Sequence, residues 1–199
     1  MTINKPVSIS FALALAMAGC SASPDPNAPA ASAGDEATPE ENIVLEQDKA
    51  LTDEQMLQVL TTVDTGEIAQ AQLAVTKSSS PQVRNFASEM IEQHNRAKQQ
   101  GALLASQTKL SPTASRASKQ LQAQGATTLE KLQSTDPGNF DQAYMKAQVK
   151  QHQDVINMLD TQLIPAATNP DLHNHLVSAR GMVDQHLRHA KQLTDSLPQ

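Results

Sequence analysis

The sequence predicts an all-α protein: an up-and-down helical bundle with an additional short helix, preceded by a disordered tether. Three observations carry this reading. Aromatic residues make up 2% of the 199-residue chain, with no Trp, one Tyr and three Phe, too few for the faces of a β-sandwich. Ala, Leu, Gln and Lys, which favour helix, dominate instead. N-caps and helix-opening prolines punctuate the chain, whereas strand alternation and hairpin turns do not appear. The core of such a bundle must be built from Leu, Ala, Val and Met.

The chain opens with an export signal. Lys5 is the one early positive charge, and the run Val7 to Ala18 is apolar except for Ser8 and Ser10. That length suits a signal-peptide core and is too short to span a bilayer comfortably. The run ends in Met17-Ala18-Gly19-Cys20, which resembles the lipobox of bacterial lipoproteins, with Met17 where Leu is usual. Lipidation needs a nucleophilic sulfur at the new N-terminus with little bulk before it, and Cys20 is the chain's single cysteine. An ordinary signal peptide with an incidental cysteine is the alternative. Ser21, rather than an Asp, follows Cys20, and by the same resemblance points to the outer membrane, with the domain facing the periplasm. A lone cysteine excludes an internal disulfide. Residues 1–19 are therefore read as a lipoprotein signal peptide, 20–47 as an acidic tether and 48–199 as the helical domain.

The net charge of −6 belongs mostly to that tether. Asp25, Asp35, Glu36, Glu40, Glu41 and Glu46 lie between Ser21 and Gln47 with no Lys or Arg among them, leaving fifteen acids against fourteen bases from Asp48 onward. Ala, Ser, Pro and acid without apolar residues to bury do not offset their own ordering entropy. No basic patch or Arg-rich helix is present, so nucleic acid is excluded as a partner.

Caps divide the remainder. Thr52 before Asp53-Glu54-Gln55 forms a capping box and opens a first helix to about Ser78. Ser80-Pro81 starts a second, to about Gln107, and Ser111-Pro112 a third, more polar one ending near Ser134. Asn139 is read as the cap of a fourth, to about Ile164, and Asn169-Pro170-Asp171 opens a fifth, ending near Ser196. Apolar stripes agree: Met56, Leu60, Val63, Ala71 and Ala74; Val83, Phe86, Met90 and Leu104; Tyr144, Val155 and Leu159; Leu172, Leu176, Ala179, Val183 and Leu193. Short connections make the first and second helices, and the fourth and fifth, antiparallel hairpins, with the third as a connector or lid.

Each of the four long helices carries one strongly polar residue on or beside its stripe: Glu67, His94, His152 and His186. Glu67 and His94 lie about twelve and fourteen residues from the first hairpin turn, His152 and His186 about fifteen and eighteen from theirs, so each pair matches in height within roughly one helical turn. Convergence in one layer is expected on desolvation grounds alone. One reading is a hydrogen-bond network that fixes helix register. The other is a metal site, since three His and a Glu suit iron, zinc or copper. The di-iron pattern of Glu three residues before His is absent, because Ile91, Val149 and Val183 hold those positions. His173, His175 and His189 fall off the stripes or near helix ends and are expected at the surface, and Asp64 is read as an ordinary solvated helix acid. No phosphate loop or nucleophile elbow is found.

Several segments resemble one family. They are Glu67-Ile68-Ala69 with Leu73-Ala74; Val83-Arg84-Asn85-Phe86-Ala87 and Met90-Ile91 with His94; Phe140-Asp141-Gln142-Ala143-Tyr144-Met145; His152 with Val155; and His186-Leu187 before Ala190. Over about Leu51 to Leu193 the chain resembles the bacterial domain of unknown function 4142, whose members look ferritin-like and are often described as outer-membrane proteins. The resemblance implies a ferritin-like bundle in the cell envelope and brings no activity, substrate or cofactor. Gln93 stands where the family usually has Asp. The leading expectation is an envelope-anchored, non-catalytic structural or interaction domain, held to the membrane by its lipid and meeting other envelope proteins. The alternative is a ferritin-like metal-binding or redox protein using Glu67, His94, His152 and His186.

Overall fold

A computed structural model describes residues 50–197. The expected signal peptide, Cys20 and the expected tether lie outside the described residues.

Helix α1 (Asp53–Lys77) begins at the expected capping box, in which the Thr52 hydroxyl accepts from the Gln55 amide and the Gln55 side chain accepts from the Thr52 amide. Helix α2 (Pro81–Thr108) starts with the Ser80 hydroxyl accepting from Val83 and ends at Lys109, a left-handed residue with φ 59°. The third helix departs from expectation. It begins at Arg116 rather than near Pro112, because Ser115 and Ser118 cap each other reciprocally there, and runs to Ser134. Helix α4 (Pro137–Met158) starts before Asn139, since Pro137 already has the φ a first helical residue needs. It continues through a π-helical segment (Leu159–Leu163) and one last α turn (Ile164–Ala166), where the Ile164 amide bonds back to the Leu159 carbonyl. Pro165 supplies no amide hydrogen, which favours this widening of the helix. Helix α5 (Pro170–Ser196) is capped by the Asn169 side chain, which accepts from Asp171 and Leu172.

The described residues contain no strand. Helices α1 and α2 form one hairpin and α4 and α5 the other; α2 meets α5 and α1 meets α4, closing a four-helix bundle. Helix α3, expected as a connector or lid, packs mainly along α1 and meets α4 to the same small extent as α1 does. Two side chains tie the connections down. The Asp53 carboxylate accepts from the Thr168 amide (2.9 Å), the Thr168 hydroxyl (2.6 Å) and the Asn169 amide (2.9 Å). Asp141 accepts from the Ser79 hydroxyl and the Ser80 amide, holding the α1–α2 turn against α4.

The interior divides into two apolar clusters. One gathers Met56, Leu60, Val155, Leu159, Leu163, Leu172 and Leu176. The other gathers Ala71, Ala74, Val83, Phe86, Met90, Phe140 and Tyr144, with Phe140 stacked on Tyr144 and Phe86 edge-on to it. In chain order, positions 64–67 of α1 and 148–152 of α4 fall between these clusters, so the polar residues sit at mid-height in the bundle.

Candidate metal centre

His94 on α2, His152 on α4 and His186 on α5 are 1–2% exposed. Each contributes one ring nitrogen to a group in which all three lie within 4.8 Å of one another. The rings approach at centroid distances of 6.1, 5.2 and 5.3 Å.

The partners of the opposite ring nitrogens determine where the protons are. His94 Nδ1 lies 2.8 Å from the Asp64 carboxylate, which only accepts, so Nδ1 donates a hydrogen to it and the buried Nε2, without a hydrogen-bond partner, faces inward. His152 Nδ1 lies 2.9 Å from the Gln148 carbonyl oxygen and must also donate, leaving Nε2 bare. His186 Nε2 lies 2.8 Å from Gln93 Oε1. That amide's orientation is fixed in turn, because Gln93 Nε2 donates to Glu89 Oε1 at 2.7 Å. His186 therefore donates from Nε2 and turns Nδ1 inward as a lone pair. The 3.3 Å approach of His152 Nε2 to His186 Nδ1 then brings two acceptors face to face.

Two lone pairs facing each other in a buried site repel unless a cation sits between them. A proton is a poor candidate at neutral pH. Burial, and then the charges of His152, His94 and His189, lower the His186 pKa to about 3. Burial also lowers that of His152, against the opposing pull of Glu67. A metal ion fits the arrangement. Neutral imidazoles whose outward N–H groups are held by a carboxylate, a carbonyl and an amide are what metal-bound histidines present.

Glu67 is buried at the same level but is not in the group of three nitrogens. Its Oε2 accepts from Gln148 Nε2 at 2.8 Å, behind His152. The site thus has three inward-facing imidazole nitrogens and two buried carboxylates behind them, Asp64 and Glu67. Three nitrogens with an open position suit zinc or copper. The two-His, one-carboxylate face typical of non-haem iron is not formed by these residues.

Asp64, Gln93 and the Gln148 backbone do work that reading the sequence did not assign to them. Asp64 had a signal, since it precedes Glu67 by one turn and so shares its face. Gln93 had none: it adjoins His94 in sequence but serves His186 from another helix. His173 is exposed, while His175 and His189 are half-buried, the latter edge-on to Phe86 and 3.4 Å from Glu89.

Comparison with known proteins places this geometry in context. The family model for the domain of unknown function DUF4142 matches residues 40–193, and the chain belongs to that family. No curated protein matches it. A solved structure, CopM in the Cu(II)-bound form, is similar at 15% identity with a TM-score of 0.57, covering 74% of this chain and 99% of that one. At that identity the likeness shows a shared fold.

Proposed function

We propose that this DUF4142 member is an envelope-tethered, non-catalytic metal-binding domain whose core holds one divalent zinc or copper ion. His94 Nε2, His152 Nε2 and His186 Nδ1 are its ligands. Asp64, Gln93 and the Gln148 carbonyl orient the rings, and Asp64 and Glu67 together balance a charge of two. The observation that carries this reading is the inward convergence of three imidazole nitrogens whose opposite ring nitrogens all donate elsewhere, with His152 Nε2 and His186 Nδ1 facing each other as acceptors. A purely structural network would be expected to alternate donors with acceptors, whereas here acceptor faces acceptor. Burial supports binding rather than catalysis, since the three histidines are only 1–2% exposed. The fold shared with a Cu(II)-bound protein makes copper the first metal to try. Tethering rests on the Met17–Cys20 lipobox and the acidic segment after it.

The test is a thermal melt of the chain, purified without a His tag, with and without copper, zinc or iron, alongside metal analysis of the purified protein. A ligand that binds only the folded state stabilises it by about 2.7 kcal/mol at a hundredfold excess over its dissociation constant. His94→Ala, His152→Ala and His186→Ala should each abolish most of the gain, and His189→Ala should keep it. No shift with any of the three metals sinks the proposal.

A further inference from the structure

The three outward partners of the histidine centre differ in kind. The Asp64 carboxylate and the Gln148 backbone carbonyl can only accept, so they hold His94 and His152 with Nδ1 donating outward. The partner of His186 is a side-chain amide, Gln93, which offers an acceptor at one end and donors at the other. Turning that amide over would present Nε2, instead of Oε1, to His186 Nε2. His186 would then accept there and carry its hydrogen on Nδ1, which lies 3.3 Å from His152 Nε2. The two facing acceptors would become a donor and an acceptor, and the pair would close on itself by a hydrogen bond. A metal ion would find His186 Nδ1 blocked by that hydrogen.

What selects the open arrangement lies outside the three histidines. Glu89 stands one turn before Gln93 on α2, and its Oε1 accepts from Gln93 Nε2 at 2.7 Å. With the amide turned over, Gln93 Oε1 would face this carboxylate, acceptor against acceptor. The closed arrangement therefore gives up a charge-assisted hydrogen bond, which is stronger than the neutral one it gains. The other Glu89 oxygen is 3.4 Å from His189 Nδ1. That is beyond ordinary hydrogen-bond length, so the hold on Gln93 does not rest on His189.

We propose that Glu89 is a positioning residue for the histidine centre: through the amide of Gln93 it fixes the tautomer of His186 and turns Nδ1 inward as a lone pair. Its consequence for binding rests on the reading of His186 Nδ1 as a metal ligand. The tautomer exists without metal, so the two claims can be tested apart. Removing Glu89 frees Gln93 to turn, and the apparent dissociation constant rises by the inverse of the fraction left open. A tenth left open gives about a tenfold loss.

The test compares wild type, Glu89→Ala and the double variant Glu89→Ala with Gln93→Glu, as full chains without a His tag. The Glu89 side chain is 41% exposed, and Ala favours helix. In the double variant the carboxylate at position 93 can only accept, so it restores the acceptor opposite His186 whatever stands at 89. The first measurement is the ¹⁵N spectrum of the metal-free imidazoles, with His186 assigned by its loss in His186→Gln. Wild type and the double variant should carry the His186 hydrogen on Nε2, and Glu89→Ala should move it to Nδ1. The second is a titration with copper or zinc alone, in which Glu89→Ala should bind about tenfold more weakly and the double variant should recover most of the loss. Glu92→Ala removes a neighbouring exposed acid paired to Arg96 and should change neither. Gln93→Leu, which takes away the acceptor directly, is the second route to the closed pair if Glu89→Ala does not fold. The proposal is overturned by a wild-type ring that already carries its hydrogen on Nδ1, by an unchanged tautomer in Glu89→Ala, or by a loss that Gln93→Glu does not restore. A tautomer that shifts as expected in a protein that binds no metal supports the role of Glu89 and overturns only the metal reading.

Discussion

Asp64 gives the sharpest handle on the histidine centre, because it touches one ligand without being one. Replacing it with Leu removes the acceptor 2.8 Å from His94 Nδ1 and has two separable effects. Without metal, the buried N–H loses its partner, at a cost of about 1–3 kcal/mol. With metal, the imidazole is no longer held with its hydrogen outward, and the loss of such a supporting partner typically weakens metal binding by about 10- to 100-fold. At a metal concentration that is a hundredfold excess for the wild type, stabilisation should fall from about 2.7 kcal/mol to about 0.4–1.4 kcal/mol. For a domain of this size, that takes a metal-induced rise in Tm of roughly 5–11 °C down to about 1–6 °C. Paired melts with and without metal measure both effects. Asp64→Asn, which retains an acceptor oxygen, should lie between the two. Asp160→Ala, which removes an exposed partner of Arg180, should leave the metal gain intact. An unchanged metal-dependent gain in Asp64→Leu would refute the assignment of Asp64 as the residue that orients His94.

The remaining predictions concern acid, the connections and the anchor. The folded pKa of His186 is about 3 against about 6.5 unfolded, so unfolding takes up a proton between those values. Stability is therefore full above pH 6.5 and falls as pH drops toward 3, by at most about 1.4 kcal/mol per unit from this residue, with His152 adding in the same direction. A metal-free melting temperature that stays level from pH 7 to 5 would contradict this. Asp53→Ala removes three hydrogen bonds to residues 168 and 169 and should cost about 2–4 kcal/mol by denaturant titration, charged acceptors being worth about 1.5–3 each and not additive; a loss below about 0.5 kcal/mol would show that the α4–α5 connection holds without it. Cys20→Ser should move the protein from the membrane to the soluble periplasmic fraction, and retention in the membrane would overturn the anchor assignment.

Much of the helical framework was legible in the sequence because caps and prolines act within a single turn. Thr52, Ser80 and Asn169 each satisfy amides two or three residues away, a geometry that any chain with those residues can reach. Where two local signals competed, only the fold chose between them. Ser115 prevailed over Ser111 because Ser118 could return its hydrogen bond. The π-helical segment after Met158 likewise emerges as α4 turns toward α5, with both Leu159 and Leu163 kept in the core.

The polar layer divides in the same way. Helical periodicity alone put Glu67, His94, His152 and His186 on inward faces, because a residue's side of a helix follows from its position along the chain. Which of them meet depends on how each helix is rotated and how far it is shifted against its neighbours, which packing decides. The structure gathered the three histidines, set Glu67 behind Gln148, and placed Asp64 against His94. The ring protons were settled at the same level, since each depends on an acceptor that only the folded chain brings within reach. The sequence by itself therefore determined the helices and the faces on which the polar residues lie. Tertiary structure decided that one ring nitrogen from each of three histidines meets the others, because that contact spans three helices and no local interaction specifies it.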